Sequence, residues 1–163
     1  MSLENLVKIN QLQRHTATAD EVQRLLVAAN RNLADSAVAG LSDETRFDAA
    51  YKSIMQCAML GLVANGYRPS TTTPGHHQTM IQTLGLTMGL GKEVWIVLDS
   101  LRKKRNLNDY SGDLIEPAAV RNCIGHAQSL LIHTQKWLSE HRPALLSKNP
   151  CTPPPTPSSN SSG

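Results

Sequence analysis

Apolar residues recur three and four positions apart along most of the chain. No alternation of apolar and polar residues is sustained, so the pattern predicts helices and no strands. Thr18-Ala19-Asp20-Glu21 reads as a capping box, with Thr18 as N-cap. Val22, Leu25, Leu26, Ala29 and Leu33 then carry a helix to about Ala37, and Gly40 breaks it. Ser42 caps the next helix, with Asp43 and Glu44 in its first turn, where the helix dipole favours carboxylates. Its stripe is Phe47, Ala50, Tyr51, Ile54, Met55, Ala58, Met59 and Leu62, stopped at Asn65-Gly66. A proline-punctuated linker leads to a short helix over His77 to Leu84. A fourth helix is predicted over Lys92 to Tyr110, and Ser111-Gly112 interrupts it. Pro117 opens a fifth helix that runs to about Glu140 on Val120, Cys123, Ile124, Ala127, Leu130, Leu131, Thr134 and Leu138. Four long helices with one additional short helix predict an all-α, up-and-down four-helix bundle.

Composition agrees with that picture. In 163 residues, apolar types make up 40% and aromatics only 4%, so the core must be built from Leu, Ile, Val, Met and Ala. The pattern divides the chain into an N-terminal extension (1–17), a helical bundle (18–141) and a Pro/Ser-rich tail (142–163) expected to be disordered. Cys57, Cys123 and Cys151 stand far apart and outside any CxxC pair, which argues against a disulfide framework or a zinc site. No signal-like apolar core opens the sequence and no run approaches a membrane span, so a cytoplasmic protein without membrane contact is expected.

A net charge of +3 matters less than its distribution. Arg102, Lys103, Lys104 and Arg105 are consecutive, so this run alone exceeds the net excess. With Val94 as origin and about 100° per residue, Val94, Val97, Leu98 and Leu101 define the core stripe of the fourth helix. Arg105 falls inside that stripe at about 20° and Asp109 at about 60°, one turn onward, so the two are expected to pair. Lys103 points away from the core, and Arg102 and Lys104 lie on its borders. Two functions suit a core-facing guanidinium: an ion pair closing the end of the bundle, or a pocket for phosphate, which the planar Arg fork grips with two hydrogen bonds. The opposite face carries Ile96, Leu107 and Tyr110, large apolar groups that suggest a homodimer.

The order of these helices, and the element RNLNDY at residues 105–110 before Ser-Gly-Asp and a final helix, resembles the HEPN domains, the higher-eukaryote and prokaryote nucleotide-binding group. The resemblance covers about residues 18 to 141, and more narrowly it is to small bacterial members with an R-N-x-x-D-Y element in the fourth helix. It implies a helical bundle that often dimerises. It also implies a place in toxin–antitoxin or defence systems, beside a minimal nucleotidyltransferase or an antitoxin, and action on RNA. RNA-cleaving members carry RN-x-x-x-H-x-Y. Arg105 and Asn106 match its opening, but the window for the His holds Tyr110, Ser111 and Gly112, with Asp109 just before it. The family Tyr falls at Gly112, so its modification by a partner transferase does not carry over. Cleavage needs an acid/base of near-neutral pKa at this place, which Asp and Tyr do not ordinarily supply.

Other histidines offer no replacement by spacing. His76 and His77 are adjacent and diverge by about 100° on a helix. His126 and His133 lie about 10 Å apart along theirs, too far to share an ion. His15 and His141 lie outside or at the edge of the bundle. The expectation is therefore a module binding RNA, nucleotide or a partner protein through Arg102, Lys103, Lys104, Arg105 and Asn106, with no cofactor or metal. The alternatives are an atypical ribonuclease toxin using Arg105, Asp109 and Tyr110, and a non-catalytic adaptor in which the Arg–Asp pair only specifies the fold.

Overall fold

Three hydroxyl side chains start three of the helices. Ser2, Thr18 and Ser42 accept hydrogen bonds from the backbone N–H groups of Asn5, Glu21 and Thr45. Each satisfies a donor that the first helical turn leaves without a partner. The computed structural model describes residues 1–146. Its order is α1 (Leu3–Lys8), β1 (Leu12–Arg14), α2 (Ala19–Ser36), α3 (Asp43–Ala64), β2 (Tyr67–Pro69), α4 (His76–Gln82), α5 (Leu84–Met88), α6 (Lys92–Ser111), α7 (Pro117–His141) and α8 (Pro143–Leu146). Helix occupies 73% of the described residues and strand 4%, so the class is all-α.

The helix α3 is the centre of the molecule. Phe47, Tyr51, Ile54, Leu60, Leu62 and Val63 are all buried, on more than one face, because α2 and α7 pack along it while α4, α5 and α6 cover the rest. Gly61 lets α5 approach closely: a Cβ there would lie 2.9 Å from Thr87 Oγ1. Across the core, α7 contributes Val120, Cys123, Ala127, Leu130, Leu131 and Leu138, nearly the stripe that its sequence predicts.

The first seventeen residues are part of this core rather than an extension to it. Leu6 and Leu12 are buried in the same cluster as Phe47 and Ile54. The strands β1 and β2 pair antiparallel, Leu12 opposite Pro69 and Arg14 opposite Tyr67. At three residues each, they are too short for alternation to register in the sequence. Glu4 fastens α1 to the pair, accepting from Arg14 Nη2 and from Tyr67 Oη at 2.5 Å each. At the other boundary, Arg142 donates to the Ala64 carbonyl at 3.0 Å and lies over the Trp137 ring, and α8 packs on α2 and α7. Residues 147–163, most of the tail, lie outside the described residues. No helix among those described is long and apolar enough to cross a membrane.

Candidate functional site

Burial along α6 stops early. Leu98, Asp99 and Leu101 are buried, and no residue after Leu101 is. The last turns of the helix therefore run out over the end of the core. Gly112, with φ of 70°, ends the helix and donates to the Asn108 carbonyl at 3.0 Å. The four consecutive cations sit where α6 passes from core to solvent.

The expected Arg105–Asp109 pair is not formed. Arg105 turns toward α3, where its Nε donates to Asp48 Oδ1 at 3.1 Å and its guanidinium lies 5.0 Å from the centre of the Tyr51 ring. Asp48 and Tyr51 are one turn apart on α3 and grip the same side chain. Asp109 and Tyr110 are exposed, Tyr110 at 92%, and neither joins Arg105 in a site.

Arg102 is tied down as well. Its Nε donates to Asp99 Oδ1 at 2.8 Å, and Lys103 Nζ lies 3.5 Å from Asp99 Oδ2. Asp99 lies well off the stripe defined by Val94 and Leu98. It is buried all the same, on a helix that packs against α4 as well as α3. The Asp99-Arg102-Lys103 spacing of three and four residues was a readable ion-pair signal.

The polar side chain brought here from a distance is His77 of α4. Its Nδ1 lies 3.1 Å from Tyr51 Oη, and His76 stands edge-on to it with ring centres 4.7 Å apart. Burial, with His76, Arg105 and Arg102 nearby, holds the His77 imidazole below its ordinary value. The Tyr51 phenol is pushed up to about 12 by burial, against the opposing pull of Arg105 and Arg102. Tyr51 therefore stays protonated at neutral pH. Nothing in the spacing of α3, α4 and α6 along the chain announces that Tyr51, His77, Arg102 and Arg105 converge.

Beyond these pairs lies an open surface. Lys103, Asn106, Leu107 and Tyr110, at helical spacings of three and four, line a shallow groove of about 350 Å³. Lys104, Leu107, Asn108 and Leu114 line a second depression beside it, closed by Asn108 donating to the Asp113 carbonyl. Leu107 and Leu114 are 67% and 87% exposed, so this end of α6 alternates cations with apolar groups.

Of the remaining histidines, His133 and His15 have structural partners. His133 Nε2 lies 2.9 Å from the Met88 carbonyl, and His15 Nε2 lies 2.6 Å from Glu21 Oε2. Cys57 and Cys123 are buried free thiols, each pushed up to about 12 by burial and so held in the protonated, unreactive form. Among the described residues no three His, Cys, Asp or Glu side chains converge on a metal position. Comparisons of the chain with family models, curated proteins and solved structures find no match.

Proposed function

We propose that the chain is a non-catalytic, RNA-binding helical module of the HEPN kind, engaging single-stranded RNA with the exposed end of α6. The observation that carries this reading is the groove of Lys103, Asn106, Leu107 and Tyr110. An exposed aromatic ring beside lysines supplies the two contacts that single strands accept from any sequence: stacking on a base and attraction of the phosphates. The five residues expected to bind phosphate divide into two groups. Arg102 and Arg105 are neutralised by Asp99 and Asp48 and hold the helix in place. Lys104 and, beyond its contact with Asp99, Lys103 keep their charge toward solvent, with Asn106 between them and Tyr110. A homodimer would set two such surfaces together, and a nucleotidyltransferase or an antitoxin is the partner class that the family resemblance supplies.

The test is retention of a single-stranded RNA oligonucleotide by the full chain across a salt series. Replacing Lys103 and Lys104 with Ala should lower the slope of log affinity against log salt by about 1 to 2, one counterion per lost phosphate contact. Tyr110→Ala should cost about 1–3 kcal/mol if a base stacks on the ring. Absence of binding at low salt would sink the proposal and leave the adaptor. Metal-independent cleavage that disappears in Arg105→Ala and Tyr110→Phe would replace it with the ribonuclease.

A further inference from the structure

A second cavity lies away from the groove on α6, bounded by the strand pair, α2, α3 and α4, with a volume of about 400 Å³. That is within the range of pockets that hold small molecules. Its walls divide by chemistry. Leu25, Met55, Met59, Pro69 and Met80 form an apolar side, and three of these are methionines, whose unbranched side chains adapt to an irregular guest. Arg68, Gln13, Thr71, Gln56, His76 and His77 form the polar side.

The polar side has a sign. No carboxylate lines the cavity. Arg68 is exposed at the rim and makes no ion pair among the described residues. Its position is fixed by the backbone, since residue 68 pairs with Gln13 across the strands. Gln56 is anchored from α2, its Oε1 accepting from Asn32 Nδ2 at 2.9 Å, which leaves its amide N–H groups for another acceptor. The Nδ1 of His77 is engaged by Tyr51, leaving Nε2 as the ring's other polar atom.

We propose that this cavity binds a small organic carboxylate with an apolar body, its carboxylate on Arg68 and the imidazole side, its hydrocarbon among Met55, Met59 and Met80. An unpaired guanidinium and hydrogen-bond donors on one side, without an acid to compensate them, select an anion over a neutral or cationic guest. The methionine wall selects an alkyl or aryl body over a second polar group. No residue of α6 lines this cavity, so the proposal stands whether or not the exposed end of that helix binds RNA.

Titration of the full chain with decanoate, decan-1-ol and acetate tests it, with the methionine methyl groups as the locating signal. The chain has five methionines, so each assignment is tractable. Decanoate should bind once per chain and shift the methyl resonances of Met55, Met59 and Met80, leaving Met1 and Met88 in place. Decan-1-ol should bind about tenfold more weakly or worse, as expected when a charge-assisted contact is lost, and acetate should not bind measurably. Arg68→Gln, at an exposed position that spares the core, should bring decanoate down to the level of the alcohol with the melting curve unchanged. Absence of decanoate binding, shifts at Met88 or Met1 instead, or an Arg68→Gln protein that binds as the parent does would each overturn the proposal.

Discussion

Asp99 and Arg105 sit on one helix, less than two turns apart, and their ion pairs have different energetic weight. The Asp99 carboxylate and the Arg102 guanidinium are nearly enclosed, so removing the acid strands a cation away from water. The Arg105–Asp48 pair is half open, with side-chain exposures of 25% and 44%, so solvent screens it. Urea denaturation should show Asp99→Ala costing about 3 kcal/mol, near the lower end for a broken buried pair. Arg105→Ala should cost about 1–2 kcal/mol, from a screened pair and the lost contact over Tyr51. Lys103→Ala should stay within about 0.5 kcal/mol, as for a surface side chain. A cost for Arg105→Ala as large as that for Asp99→Ala would mean that the guanidinium is buried after all. The helical wheel placed Arg105 on the inner side of α6 correctly but chose the wrong acid. Periodicity ranks neighbours on the same helix, and Asp48 comes from another.

Among the elements, the long helices were legible because their stripes and caps repeat over several turns. Thr18, Ser42 and Pro117 stand at the starts that the sequence assigned to them. The segment from Leu3 to Arg14 was not legible, since a six-residue helix and a three-residue strand hold too few positions for a period to show. Its importance follows from Leu12, which is fully enclosed beneath the strand pair. Leu12→Ala should therefore destabilise the fold by about 2–4 kcal/mol, as for other large-to-small core changes. The urea midpoint should fall without a change in slope. A midpoint that barely moves would return residues 1–17 to the status of a dispensable extension. The candidate site was half legible for the same reason: the cations on α6 form one contiguous run, while Tyr51 and His77 reach them only through the packing of three helices.

At the scale of the whole molecule, large apolar groups are left outside on several elements, and the tip of α6 gathers three of the most exposed. Ile96, Leu107, Tyr110 and Leu114 are exposed, and the last three surround the tip of α6. A second copy of the chain packing on Ile96 and Leu107 would remove these two from water and leave Tyr110 and the lysines open to RNA. Sedimentation at micromolar concentration should give a dimer, and Leu107→Glu should shift it to monomer; a parent chain that stays monomeric removes the idea. A different consequence follows from the pairing of β1 with β2. The two strands are separated by the whole of α2 and α3, so β1 leaves the ribosome well before the strand that completes it. Local helices form first, while closing so long a loop carries an entropic cost that only the assembled core repays. The order of synthesis and the order of folding are thus reversed for this strand. Until α3 is in position, Leu6 and Leu12 remain unsheltered, a brief interval in which the nascent chain is most open to misassociation.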